Sequence, residues 1–392
     1  MNQGWEKKRL GDVCSILNGF AFKSREYVSS GIRIIRIANV QDGYISDELP
    51  QFYPDELISM FEKYLLQEND LLISLTGNVG RVALLPSAML PAALNQRVAC
   101  LRTHNVNKKY IYHFLQNVVF KQDCIDASTG IAQLNLSTEW LKEYKILLPP
   151  FSCQKKIVDE LDRINELIEV KRSQLADLDL LAQSLFYEMF GDPIENPKGW
   201  NLYNLGDCVE FKNGLNFTPS DSGNEIKCLG VGNFKSNRYI SDESLDSINI
   251  VELVSKDYLL EDGDIVFVRS NGNKALIGRS ILYTSKGADV TFSGFCIRCR
   301  YSKEKYNPLY MAYLLSSKTI RHYMTSQGKG CNISNINQKI LSVMPFIVPP
   351  IELQNQFAAK IKMIEEQKKY IESSVTDLQT LLASRMDYWF ND

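Results

Sequence analysis

The side chains able to do chemistry in this sequence are few, and those with reactive groups are badly spaced. Three histidines, His104, His113 and His322, show no metal-ligand spacing. Cys296-Ile297-Arg298-Cys299 is the one CxxC pair; a zinc site needs two further ligands close by, so the pair reads as part of a strand. Residues 272–280 are glycine-marked like a phosphate-binding loop, but the glycine spacing is wrong and Arg279 stands where a lysine belongs. Asn307-Pro308-Leu309-Tyr310 falls one residue short of the Asn-Pro-Pro-Tyr type of amino-methylating motif. Leu148-Pro149-Pro150-Phe151 lacks the polar first residue that would hold a target amino group. Neither comes with a glycine-rich cofactor loop, and both read as strand exits. Pro54-Asp55 is not followed by Glu-x-Lys at nuclease spacing. No complete methyltransferase, nuclease or ATPase site results.

Clustered polar loops are the stronger signal. Reading a base edge needs Asn, Gln, Arg or Lys, whose donors and acceptors match base edges in pairs. Anchoring a phosphate needs Arg, Lys, hydroxyls and bare backbone amides, hence glycine. Thr76-Gly77-Asn78 with Arg81, Asn95-Gln96-Arg97, and Gln133 with Asn135 supply these types in the first half of the chain. Arg269-Ser270-Asn271, Asn273-Lys274, Arg279, Lys329 and Asn332 supply them in the second. Taken singly, each loop also fits an ordinary surface turn, and Gly80 and Gly278 read as turn formers.

The elements that must carry these loops occur twice. Residues 149–192 align with 349–392 without a gap, matching at Pro149/Pro349, Gln154/Gln354, Ile164/Ile364, Leu178/Leu378 and Phe190/Phe390. Each copy opens with a proline pair, which bars helix before it, and then runs about forty residues almost free of Gly and Pro, as one long helix does. A seam with alternating spacings of four and three takes Ile157, Leu161, Ile164, Ile168, Leu175, Leu178 and Leu185 in the first copy. In the second it takes Phe357, Ile361, Ile364, Ile371, Val375, Leu378 and Leu382. This is coiled-coil spacing over a length of roughly 50 Å. Lys171, Lys368 and Arg385 interrupt the stripe and are placed to fix register.

The lobes repeat as well. Trp5 to Asp12 is mirrored by Trp200 to Asp207, Asn18-Gly19 by Asn213-Gly214, and residues 44–48 recur unchanged as 239–243. Residues 32–40, 82–85, 98–101 and 144–148 read as strands, 65–75 as a turn at Glu68-Asn69-Asp70 leading into a strand, and 109–123 as a helix. The loop at 128–135 is mirrored by 326–332. Skeleton residues persist while loop contents differ, as expected of one scaffold presenting two surfaces.

Composition sets the outer limits. A chain of 392 residues, 45% hydrophobic and 23% charged, is expected to fold as two or more domains. No apolar run approaches the ~18 residues of a membrane span, and residues 1–13 lack the apolar core of a signal peptide. Nine scattered cysteines suit reduced thiols. These features lead to an expected cytoplasmic location. The net charge of −2 conceals lobes with a slight basic excess and helices with an acidic one, which permits nucleic-acid binding if the basic groups share a face.

With these residues in view, the whole chain resembles the specificity subunit of a Type I restriction–modification system. The likeness is carried by the Leu148-Pro149-Pro150 and Val348-Pro349-Pro350 exits, each followed by Gln154 or Gln354 and a long helix. The Trp-to-Gly-Asp openings and the acidic turn ahead of Thr76-Gly77 and Ser270-Asn271-Gly272 also carry it. The second lobe departs by its longer loop and by Ser270-Asn271 in place of Thr-Gly. The resemblance implies an α+β fold: two similar β-rich target-recognition domains, 1–148 and 193–348, separated by two long antiparallel coiled-coil helices, 149–192 and 349–392, in a pseudo-twofold internal repeat. It implies that each domain reads half of a split double-stranded DNA sequence. It further implies that the helices space the domains and dock two modification subunits, which bind S-adenosylmethionine and methylate adenine. Restriction subunits using ATP and Mg would join to cut DNA. This chain would itself hold no cofactor or metal and catalyse nothing. Three other readings stay open: a stand-alone specificity subunit of a methylation-only or cut-and-methylate system, an enzyme whose catalytic constellation the motifs do not reveal, and a coiled-coil scaffold that binds proteins through its lobes. Steep weakening of DNA binding by salt separates the last from the others.

Overall fold

The computed structural model describes residues 4–130, 133–217, 223–234, 238–251, 253–326 and 335–391. The chain divides into two compact units, one made of Met1–Arg172 with Ser373–Asp392 and the other of Ser173–Glu372. Each unit therefore holds one lobe and part of both long helices.

In the first unit four strands pair antiparallel in the order Cys14–Asn18, Val98–Thr103, Leu71–Ser74, Val82–Leu84. Leu71–Ser74 is buried along its whole length, so its sequence runs apolar without alternation. One face of this sheet, with Leu72, Ala83 and Cys100, packs on Ile35, Val40 and Leu94. The other, with Leu71, Ile73, Ala99 and Leu101, packs with Tyr110, Ile111, Phe114 and Phe120 from two short helices. A three-stranded sheet, Phe52–Tyr53, Ile32–Ile35 and Ala92–Leu94, stands beside it.

Side-chain capture of the backbone explains where the observed elements are shorter than expected. The strand expected over 32–40 stops at Ile35, because the Asn39 side chain accepts from the Arg36 N–H (2.9 Å) and donates to the Ser46 carbonyl (3.0 Å). The expected helix over 109–123 is two helices, Lys108–Leu115 and Val118–Asp126. Asn107 caps the first, and Asn117 caps the second by accepting from the Val119 N–H at 2.9 Å. Over 65–75 the expected turn at Glu68-Asn69-Asp70 leads into the strand Leu71–Ser74. The Asp70 carboxylate accepts from the Gln67 N–H at 2.8 Å and holds the preceding turn closed.

The second unit repeats the plan. Val209–Asn213, Cys296–Tyr301, Ile265–Val268 and Ser280–Thr284 pair antiparallel, and Tyr239–Ser241 adds a parallel fifth strand. Ser247–Ile250, Asn224–Leu229 and Val290–Phe292 form the smaller sheet. Three fastenings recur at matching positions. The Tyr110 hydroxyl donates to the Leu147 carbonyl (2.5 Å) and that of Tyr310 to Ile347 (2.7 Å). Arg102 pairs with the buried Asp70 (2.8 Å), and Arg300 with the buried Asp264 (2.7 Å). The third is a glutamine clasp. Gln154 Oε1 accepts from the Asn107 N–H (2.9 Å) and its Nε2 donates to the Pro149 carbonyl (2.8 Å); Gln354 does the same with Asn307 and Pro349, at 2.9 and 2.8 Å.

The clasp explains why glutamine follows each proline pair: one side chain satisfies a helix-cap N–H in the lobe and the last free carbonyl before the long helix. Replacing Gln354 by leucine strands both groups, at a cost of about 1–3 kcal/mol each. The expected result is faster hydrogen exchange at the Asn307 amide; unchanged protection there contradicts the clasp.

The long helices run Phe151–Phe190 and Ile351–Phe390. All fourteen apolar seam residues are buried or half-buried. In the second unit the partners run antiparallel: Asp179 accepts from Lys368 Nζ at 2.9 Å, while further along Phe186 and Phe190 lie 5.8 and 5.3 Å from Phe357, ring centre to ring centre. In the first unit the start of one helix lies beside the end of the other, where Glu160 accepts from Arg385 and from Trp389 Nε1 (3.1 Å). Two of the charges that interrupt the seam thus have partners on the facing helix. The helix ends are also part of the lobes. Ile157, Leu161 and Phe390 join the first lobe's core, and Phe186, Phe190, Phe357 and Ile361 join the second's.

Candidate nucleic-acid interface

Four chain segments meet at one edge of the first lobe. Leu75 continues the central strand, donating to the Arg97 carbonyl (3.0 Å) and accepting from the Leu136 N–H (2.7 Å). Thr76 bridges to Asn135, and the Gly77 N–H donates to the Leu134 carbonyl at 2.8 Å. On the other side the Gln96 N–H donates to the Phe20 carbonyl at 2.9 Å. Gly19 is required here, since a Cβ would sit 2.2 Å from the Asn95 carbonyl carbon and oxygen. Residues far apart in sequence, 18–20, 75–78, 95–97 and 133–136, are thereby laid side by side.

Their side chains divide by exposure and by the bonds they make. Asn78, Gln96, Arg97, Gln133 and Asn135 are exposed. Asn95 is half-buried, and its Oδ1 accepts from the Arg97 N–H at 3.2 Å. Thr76 is buried, and Arg81 is half-buried with its Nη1 donating to Gln41 Oε1 at 2.7 Å. These two, expected among the contacts, are placed to shape the loop. Ser74 Oγ completes the shaping, donating to the Asn78 carbonyl (2.6 Å) and accepting from the Arg81 N–H (3.0 Å). Gly77 and Gly80 take positive φ, +69° and +77°, as the turn requires.

The second lobe builds the same edge. The Arg269 N–H donates to the Phe295 carbonyl and the Ile336 N–H to the Arg269 carbonyl, both at 2.8 Å. Ser270 bridges to Asn335, and the Gly294 N–H donates to the Leu215 carbonyl at 2.6 Å. This pairing puts Asn335 at the place of Asn135; Asn332, expected there, and Lys329 lie outside the described residues. Asn271 accepts from the Asn273 N–H (2.7 Å), and Asn273 accepts from the Ala275 N–H (3.0 Å) at the head of a short turn that carries Lys274. Arg269 and Ser270 are half-buried. Arg279 Nη1 donates to the Phe234 carbonyl at 3.3 Å, and the guanidiniums of Arg279 and Arg321 both reach the Ala275 carbonyl. Burial and the nearby Arg279 lower the Arg321 pKa. Two clustered cations beside a turn suit a phosphate. Arg321 was not legible in sequence because it arrives from the helix Lys318–Ser326.

Four of the reactive groups set aside on spacing are tied into cores or hydrogen bonds. Cys296 and Cys299 lie on one strand but in different cores, and burial pushes both thiols up. His104 bonds Ser15 (2.6 Å), and the buried His113 bonds Asp162 (2.7 Å). No group of three potential metal ligands occurs among the described residues. No helix there is long and apolar enough to cross a membrane.

Comparison with known proteins agrees with this geometry. The sequence model of the Type I restriction modification DNA specificity domain matches twice, at residues 2–179 and 197–375. The chain is 24% identical to the StySPI specificity subunit of Salmonella potsdam, over 97% of this chain and 86% of that one. Its fold resembles that of the Type I S subunit from M. genitalium, with a TM-score of 0.53, 14% identity and coverage of 100% and 97%. A chain from a structure of Type I complex assembly and conformational transition gives a TM-score of 0.60 at 16% identity, covering 99% and 97%. The chain belongs to the Type I restriction–modification DNA specificity family. Its function is sequence-specific recognition of double-stranded DNA.

Proposed function

We propose that each unit reads one half of a split DNA site, and that the paired helices hold the readers apart and dock two modification subunits. The observation that carries this is the four-segment edge, built by the same backbone bonds in both lobes but lined with different side chains. One scaffold with two linings is what two unlike half-sites need. On this reading the chain is a non-catalytic subunit of a cytoplasmic complex. S-adenosylmethionine belongs to the modification subunits, ATP and Mg to restriction subunits.

Coexpression with the cognate modification subunit, followed by mapping of methylated adenines, tests this. Two short half-sites flanking unread base pairs are expected; a continuous or perfectly palindromic site overturns the reading. Within it, Arg97→Ala is expected to weaken recognition of one half-site by ~1–3 kcal/mol and leave the other intact. Binding assays on site variants check this, and an unchanged preference in both halves removes Arg97 from the interface.

A further inference from the structure

The two edges correspond residue by residue, and one difference between them is chemical in kind. Phe20 bridges Asn95 in the first lobe as Leu215 bridges Ser293 in the second. Arg97 and Phe295 both give their carbonyls to the strand residue beside them, Leu75 or Arg269. Asn95-Gln96-Arg97 is therefore matched by Ser293-Gly294-Phe295, and Ala21 by Asn216.

Two consequences follow from that register. Gly294 has no side chain, and a Cβ there would lie 1.9 Å from Asn216 Oδ1. Asn216 thus lays its amide over the spot from which Gln96 projects in the first lobe, where the facing residue is only Ala21. Both lobes present one exposed amide at this point, supplied from opposite segments. The neighbouring position is not compensated. Phe295 is 59% exposed, with its carbonyl fixed by the Arg269 N–H and its N–H directed at Ser293 Oγ (3.4 Å). A ring held on a fixed backbone projects where the first lobe projects a guanidinium.

We propose that Phe295 is a specificity-determining residue of the second lobe and reads a thymine through its C5-methyl group, with Asn216 as the adjacent amide reader. This rests on the two-half-site reading above. A guanidinium selects guanine by pairing with its O6 and N7, whereas an apolar ring has no hydrogen bond to offer and finds its match in the one methyl group of the major groove. Exposure of a large ring that completes no core fits such a contact.

Deoxyuridine differs from thymidine only by that methyl, which makes the test specific. The complex with its modification subunit is used, on duplexes carrying the mapped site, with each thymine of the second half-site replaced singly by deoxyuridine. One replacement is expected to weaken binding about three- to fivefold, the worth of one buried methyl. Phe295→Ala should lose the same factor on the thymine duplex and nothing further on the uracil duplex. Its salt dependence should be unchanged, because no phosphate contact is lost. Phe295→Arg should move the preference at that position toward guanine. Unaltered recognition of the other positions of the second half-site shows that each variant is folded. Indifference to every uracil replacement, or additive effects of uracil and Phe295→Ala, overturns the proposal. So does loss of the modification subunit from the Phe295→Ala complex, which would assign the ring to a protein contact. In all three cases a split methylated site leaves the two-half-site reading standing; absence of any sequence preference in the wild-type complex is what removes that reading.

Discussion

Exchanging Ser173–Glu372 for the corresponding unit of another specificity subunit is expected to replace one half of the methylated site and preserve the other. The reason for these limits is the packing of the helix ends. Phe186, Phe190, Phe357 and Ile361 share one core with Tyr310, Met311 and Leu314 of the lobe. An exchange of 200–345 alone sets those rings against a foreign surface and is expected to lose stability, since buried aromatic contacts of this size are worth several kcal/mol. Exchange of the whole unit keeps each core within one parent. Each altered base pair costs ~1–3 kcal/mol, roughly additively, so three altered pairs remove about 3–9 kcal/mol of affinity for the original half-site. Methylation mapping reads the result directly. A product altered in both halves contradicts independent reading by the two units.

The second large effect concerns stability. Asp264→Ala is expected to destabilise the second unit by about 3–5 kcal/mol. The Asp264 carboxylate is almost wholly buried, receives two bonds from Arg300 (2.9 and 2.7 Å) and one from the Glu261 N–H (2.7 Å). Its removal leaves a three-quarters-buried guanidinium with the exposed Glu261 and the Leu259 carbonyl (3.0 Å) as its remaining partners, so the lower part of that range is expected. Asp70→Ala should do the same to the first unit through Arg102. Calorimetry should show two separable unfolding transitions, each variant lowering a different one. Both variants lowering the same transition would mean that the two units unfold as one.

Much of this architecture was legible because it is written twice. A repeat of Pro-Pro, Gln and an alternating four-and-three stripe specifies long helices whatever their surroundings, and Leu71–Ser74 announces a buried strand by running apolar. The two misread element boundaries have one cause. Asn39 and Asn117 bind neighbouring backbone and interrupt elements that apolar pattern alone would extend. The polar loops at this edge were legible in the sequence, and the apolar position between them was not. Phe295 carries no polar signal, and only strand pairing shows that it stands in register with Arg97. For Thr76 and Arg81 type and placement point apart: their types suit DNA contact, while Thr76 is buried and Arg81 donates to Gln41.

The way each unit closes also bears on how the protein is made. The first unit needs Ser373–Asp392 to complete its core, where Phe390 packs at 5.6 Å from Tyr110 and 5.5 Å from Phe114. All of Ser173–Glu372 is translated in between. A ribosome that has finished the first lobe has therefore made a body with an open apolar flank at Ile157 and Leu161, which stays uncovered until the last turns of the second helix emerge. The second unit has no such wait, because its parts are contiguous in the chain. Order of synthesis is thus the reverse of order of completion, and an interrupted chain advertises itself by a sticky patch that a finished chain has hidden.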